Sequence, residues 1–195
     1  KVFIMKRLLL ILILTFSLQS LTKADDVRDF EIEGMSIGDS ALNIFTKNEI
    51  NNAITAKYPD DTYTTLEFRN IKSKIYDYVS FSYKTNDKNY ITVAVSGGKY
   101  FDEKIKDCYR LQDKMYIEFK EIFPNAKVYD YIMKDLQGDN SEVVGIARQA
   151  FLELSDGSYA AVQCYDYDDK ARIDNMRVNL YTEIYNYWLV NKAFK

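Results

Sequence analysis

The chain has 195 residues, 47% of them hydrophobic and 28% charged, with a formal net charge of −3 at neutral pH. This length suffices for one domain with a substantial core, and the two prolines mark no linker between domains. The cations are spread thinly and histidine is absent, which argues against nucleic acid or anionic membrane surfaces as partners and excludes every histidine-dependent site.

The N-terminal segment has the pattern of a secretory signal peptide. Lys6 and Arg7 precede an apolar run at residues 8–14, which is too short for the roughly 20 residues of a membrane-spanning helix. We therefore expect cleavage after residues 1–24. Four cations and no acid lie in this leader, so the exported domain, residues 25–195, has a net charge of about −7 and no membrane span. The predicted location is the periplasm or the extracellular medium.

The first half of this domain predicts a short strand, a short helix and a meander. Residues 30–37 alternate like a strand, and Asp39 or Ser40 can cap the helix that follows. Thr46 and Glu49 form a capping box at which this helix restarts before ending near Pro59. The strands predicted next are residues 62–69, 75–84 and 90–96, with a turn at Gly97-Gly98.

The second half predicts a long helix, a second meander and a C-terminal helix. Apolar residues recur at helical spacing over residues 101–123, up to a stop at Pro124. Predicted strands follow at residues 127–133, 143–154 and 159–167, the last two joined by a Ser155-Asp156-Gly157-Ser158 turn. A strand containing Met176, Val178 and Leu180 leads to a helix at residues 183–191. The sequence thus predicts an α+β fold with antiparallel meander sheets, one long central helix and shorter helices at both ends.

The two cysteines, Cys108 and Cys164, are predicted to form a disulfide. Cys108 lies on the apolar stripe of the long helix with Ile105 and Phe119, and Cys164 shares a strand face with Val162. Both sulfurs therefore point to an interior face, and an exported chain folds where disulfides persist. The alternative is a pair of buried free thiols.

No motif in the sequence indicates catalysis, a metal or a cofactor. Gly38-Asp39-Ser40 resembles the nucleophile block of GDSL-type (SGNH) hydrolases, but a serine nucleophile needs a histidine base that this chain lacks. Ser40 is therefore interpreted as a helix cap. The acids between Asp166 and Asp174 have oxygen ligands suitable for calcium, but their spacing differs from an EF-hand loop and favours a solvated acidic segment.

Tyrosine is the remaining distinctive feature, with 17 in the chain. Tyr159, Gln163, Tyr165 and Tyr167 share one face of a predicted strand. If no helix covers that face, these side chains form an aromatic, hydrogen-bonding surface suited to a protein, peptide or glycan of the cell envelope. If a helix covers it, they belong to the core. Tyr76 and Tyr78 are likewise predicted to share a face.

Residues 30–40, Phe-Glu-Ile-Glu-Gly-Met-Ser-Ile-Gly-Asp-Ser, resemble the opening segment of an uncharacterised family of small exported bacterial proteins. The resemblance implies the signal peptide, the two cysteines and the extent of the domain, and it implies no activity. Two hypotheses remain. The first is a non-enzymatic exported binding or interaction domain, and the second is a carboxylate-dependent hydrolase acting on an envelope substrate.

Overall fold

The computed structural model describes residues 26–69, 71–102, 104–137, 142–168 and 172–195, so the predicted signal peptide lies outside the described residues. The fold is α+β, as predicted, with one antiparallel sheet and three α-helices. The strands are β1 (Ile54–Ala56), β2 (Tyr63–Arg69), β3 (Tyr78–Lys84), β4 (Thr92–Tyr100), β5 (Lys127–Gln137), β6 (Val143–Glu153), β7 (Tyr159–Tyr167) and β8 (Asn175–Tyr181). The helices are α1 (Lys47–Asn52), α2 (Ile105–Ile122) and α3 (Glu183–Asn191).

The sheet consists of two four-stranded meanders joined side by side. Its order is β1-β2-β3-β4-β8-β7-β6-β5, and the central contact is an antiparallel pair between β4 and β8. Helix α2 connects the end of the first meander to the start of the second. The C-terminal strand therefore completes the middle of the sheet rather than an edge. None of the helices in the described part of the chain is long and apolar enough to span a membrane.

The main core lies on one face of this sheet. Helix α2 packs over β6, β7 and β8, and the segment before β1 contributes Val27, Ile32, Met35 and Ile50 to the same cluster. Gln112 occupies the middle of the buried stripe of α2, where its Nε2 donates to the backbone oxygens of Arg148 and Val162, each at 2.8 Å. A polar residue thus bridges β6 and β7 from within the core.

The predicted disulfide is confirmed. Cys108 of α2 and Cys164 of β7 are bonded, with a Cα–Cα distance of 6.1 Å, and both residues are fully buried. The bond attaches the long helix to the centre of the second meander.

The structure corrects the predicted N-terminal elements. Residues 30–37 form a tight turn closed by a bridge between Ile32 and Met35, not a strand. The short helix is a 3₁₀ turn, Ala41–Asn43, followed by α1, and the chain then enters β1 instead of continuing as a helix. The caps themselves are as predicted, since Ser40 accepts from the Leu42 amide and Thr46 forms a capping box with Glu49.

The prediction that Gly97-Gly98 forms a turn is wrong, because β4 continues through both glycines to Tyr100. The ring of Tyr76 lies over Gly97, where an added Cβ would be 2.6 Å from the ring, and the ring of Tyr78 lies against Gly98. Glycine within a strand often marks such a close approach. Because neighbouring residues of a strand face opposite sides, Tyr76 and Tyr78 lie on opposite faces of the sheet, contrary to the prediction.

Candidate functional site

The face of the sheet opposite α2 carries a broad groove. Its volume is about 880 Å³, and side chains from all eight strands line it. The lining residues within the strands are Ile54, Ala56, Thr65, Glu67, Tyr78, Ser80, Ser82, Ser96, Lys134, Gln149, Phe151, Tyr159, Ala161, Gln163, Tyr165, Arg177, Asn179 and Tyr181. Tyr58, Tyr185, Asn186, Leu189, Val190 and Phe194 complete the lining.

Strand register explains why this face is hollow. Cross-strand pairing places one residue from each of four neighbouring strands in a single row. From β3 to β7 these residues are Ser80, Ser96, Asn179 and Ala161. Three of these four neighbours are serine or alanine, so the centre of the face is a row of small side chains. Larger side chains in the adjoining rows and at both ends of this row enclose a groove suited to a small organic ligand.

Helix α3 covers one end of the same face. The Trp188 indole donates to Asp60 at 2.8 Å, and the Tyr185 hydroxyl bonds to Ser82 at 2.9 Å. Ala94 of β4 is buried beneath these two aromatic rings. The helix therefore forms an end wall of the groove and leaves the middle of the sheet open.

The predicted tyrosine surface lies largely within this groove. Tyr159, Gln163 and Tyr165 line it, and all three are partly buried. Tyr167 lies outside the lining, but its ring stacks on that of Tyr165 with centroids 6.4 Å apart. Helix α2 packs on the opposite face, so these side chains are not part of the main core.

Arg177 is the chemically decisive residue of the groove. Its Nε donates to the Tyr78 hydroxyl at 3.1 Å and to Asn175 Oδ1 at 3.3 Å, and its guanidinium lies 4.9 Å from the Tyr165 ring centroid. Within the described residues, no carboxylate forms an ion pair with Arg177 and no acceptor bonds to its two Nη atoms. A partly buried cation thus directs its remaining N–H donors at no partner among the described residues.

Burial and aromatic neighbours determine the protonation states around Arg177. Burial opposes the charge of the guanidinium, but interactions with Tyr78, Tyr165 and Tyr167 and the hydrogen bond to Tyr78 leave the pKa of Arg177 above its ordinary value. Burial raises the pKa of Tyr78 to about 12 and also raises that of Tyr165. At neutral pH the groove therefore presents a cation flanked by neutral phenols.

A small amide network lies beside Arg177. Gln163 pairs directly with Arg177 across the strands, and its Oε1 accepts from the Tyr165 hydroxyl at 2.8 Å and from Asn179 Nδ2 at 2.9 Å. With its oxygen held in this way, the Gln163 amide nitrogen has no hydrogen-bond partner among the described residues. Gln163 and Arg177 are therefore neighbouring groove residues that both have donors without a partner among the described residues.

Among the described residues, the charged side chains that line the groove are two cations and one acid. These are Arg177, Lys134 and Glu67, and Glu67 already accepts from Arg69 Nε at 2.6 Å. Although the whole chain carries a net negative charge, the groove favours an anion. Sulfate, phosphate and carboxylate groups all match a guanidinium with free Nη donors.

Asp169 of the acidic segment lies outside the described residues, and the described part of residues 166–174 provides no comparable site. Within the described residues, no cluster of three or more potential metal ligands is present. Asp174 Oδ1 accepts from the Tyr167 amide at 2.9 Å. Burial, followed by the charges of Asp174 and Asp168, raises the pKa of Asp166. Burial and these two neighbouring charges therefore oppose the ionisation of Asp166.

Sequence reasoning did not single out Arg177, and it placed Tyr78 on the same face as Tyr76. The only available signal was the alternation of β8, because placing Met176, Val178 and Leu180 on the core face puts Arg177 on the opposite one. The tyrosine strand was found because its aromatic residues are repeated, whereas Arg177 is a single residue. Its importance depends on pairing between strands distant in sequence.

Comparisons with protein-family models, with curated proteins and with solved structures found no match.

Proposed function

We propose that this chain is an exported, non-catalytic binding domain that holds an organic ligand by an acid group in the groove. The observation that carries this proposal is Arg177, a partly buried guanidinium that no described carboxylate neutralises. Leaving a cation in a partly desolvated site is costly unless an anion binds there. The Nη donors of Arg177 and the amide of Gln163 can together bind two oxygens of one acid group.

The alternative of a carboxylate-dependent hydrolase lacks support from this geometry. Such chemistry requires two acids that converge on the reacting bond. Among the described residues that line the groove, Glu67 is the one carboxylate, and Arg69 pairs with it. An unpaired second acid opposite Glu67 would be required for the hydrolase hypothesis.

Ligand binding can be tested by titrating 2-naphthoate and 2-naphthamide, which have similar shapes and differ in charge, in a calorimeter. We expect the acid to bind more tightly than the amide. Arg177→Gln should weaken acid binding roughly ten- to hundredfold, because charge-assisted hydrogen bonds contribute about 1.5–3 kcal/mol. Binding of the amide should change little.

Arg110→Gln is the matched control for this experiment, since it removes the same charge from an exposed position on α2. It should leave acid binding unchanged. Arg177→Lys, which keeps the charge and loses the fork of donors, should give an intermediate affinity. Equal affinity for acid and amide in a folded wild-type protein would contradict the proposal.

Export is supported by the leader pattern and by the buried disulfide, which is typical of proteins in oxidising compartments. We expect N-terminal sequencing of protein recovered from the cell envelope or the medium to begin at Asp25. A control in which Lys6 and Arg7 are replaced by acidic residues should remain inside the cell, because the positive region of the signal is lost. Recovery of envelope protein that retains residues 8–14 would exclude cleavage at this position.

A further inference from the structure

We infer that the ligand is an amphiphilic organic acid, whose acid group binds Arg177 and whose apolar chain runs along the groove to α3. This inference rests on the proposed function and specifies the ligand class. The groove has different chemistry at its two ends, and the distance between the ends matches an extended chain rather than a compact molecule.

The acid end is formed by the row of residues that contains Arg177. On one side, Arg177 pairs directly with Gln163 of β7. On the other side it pairs with Gly98 of β4, which in turn pairs with Tyr78 of β3. The Tyr78 hydroxyl accepts from Arg177 Nε, and the two Nη atoms have no acceptor within the described residues. A single acid group is sufficient to satisfy these donors.

The apolar end is formed where α3 approaches β1. Leu189, Val190 and Phe194 line the groove from the helix side, and Ile54 and Ala56 line it from the strand. Val190 is 71% exposed, Phe194 72% and Ile54 49%. Large apolar side chains that stay exposed at the edge of a concave site are typical of a surface that an apolar partner covers.

The apolar end lies both along β8 and across the sheet from Arg177. Tyr181, whose row reaches the α3 end, is four residues from Arg177 along β8, which is about 13 Å at roughly 3.3 Å per residue. Strand β1 lies four strands to the side of β8, which is about 19 Å at roughly 4.8 Å per strand. The small side chains of Ser96 and Ala161 lie between the two rows and leave a continuous track. A linear chain can therefore contact Arg177 and the α3 wall at the same time.

Straight-chain carboxylates test this inference. Hexanoate, decanoate and tetradecanoate are titrated below the concentrations at which they form micelles, with decan-1-ol as the uncharged analogue. We expect affinity to rise roughly two- to fourfold for each added methylene, which corresponds to partial or full burial of that group. Decanoate should bind more tightly than decan-1-ol, and Arg177→Gln should abolish that difference.

A matched pair of double variants, in α3 and the turn that follows it, isolates the apolar end. Val190→Ser/Phe194→Ser removes two side chains that line the groove, whereas Ile184→Ser/Tyr187→Ser removes two that do not. The exposure of the control pair is similar, at 69% and 60%. We expect the first variant to lose most of the chain-length dependence and the second to retain it.

The outcomes distinguish this inference from the proposed function. If 2-naphthoate binding depends on Arg177 but decanoate binds no more tightly than hexanoate, acid binding stands and the amphiphile is excluded. Equal chain-length dependence in the two double variants would also exclude the amphiphile, because the apolar chain would then not contact Val190 and Phe194. If no acid requires Arg177, both proposals fail.

Discussion

Replacing both cysteines, in Cys108→Ala/Cys164→Ala, is expected to lower the free energy of unfolding by about 4 kcal/mol. The disulfide closes a loop with a sequence separation of 56 residues, and the chain-entropy estimate for a loop of this size is about 4 kcal/mol. Both side chains are fully buried, so loss of the sulfur atoms adds a small packing cost. Urea unfolding of the oxidised wild type and the variant measures the difference.

The unmodified chain under reducing conditions is the control for this prediction. If the constraint on the unfolded chain dominates, the reduced wild type should lose nearly as much stability as the double variant. A loss below about 1 kcal/mol in both would contradict the assigned role of the disulfide in joining α2 to β7. A loss in the variant alone would attribute the effect to packing.

Gly98→Ala is expected to destabilise the fold by about 1–3 kcal/mol and to weaken acid binding. A Cβ at this position would overlap the ring of Tyr78, and forced displacement of a packed ring carries a cost of this size. The Tyr78 hydroxyl also accepts the hydrogen bond from Arg177, so the same displacement disturbs the acid site. Chemical denaturation and 2-naphthoate titration provide the two measurements.

A double-variant cycle tests the cause of the Gly98 effect. In a Tyr78→Ala background the ring is absent, so Gly98→Ala should cost little or even stabilise, because alanine is the better strand residue. Ser96→Ala, at the next groove-facing position of β4, is the matched control and should change stability by less than about 0.5 kcal/mol. An unchanged cost without Tyr78 would exclude the proposed overlap.

The fold class and most elements of the second meander could be predicted because their signals are local. Alternation identified the strands, the Asp156-Gly157 turn identified the hairpin between β6 and β7, and the helix predicted at residues 183–191 corresponds to α3. The cysteine pairing followed from the helical and strand periodicities. These properties depend on neighbours within a few residues.

The errors occurred where a distant contact decides the conformation. Gly97 and Gly98 have the composition of a turn, but both pair with β8, and the rings of Tyr76 and Tyr78 occupy the space that their side chains would need. Residues 54–56 continue an apolar pattern that suits a helix, yet β2 offers an edge with which they pair. Local propensity was overridden by pairing with residues elsewhere in the chain.

The candidate site was only half predictable for the same reason. Tyr159, Gln163 and Tyr165 could be assigned to one strand face, but whether a helix covered that face depended on where α2 and α3 pack. Arg177 gains its role from β4 on one side, from β7 on the other and from the lack of an ion-pair partner within the described residues. None of these three facts is local in sequence.

The most direct test of the account is a crystal structure of the protein with 2-naphthoate bound. We expect the carboxylate oxygens within about 3.2 Å of the Nη atoms of Arg177, with the Gln163 amide as a further donor. The rings of Tyr78 and Tyr165 should flank the bound acid. A fully occupied ligand bound outside the groove, or a guanidinium turned to form an ion pair with Glu67, would contradict the central claim that this face binds acids through Arg177.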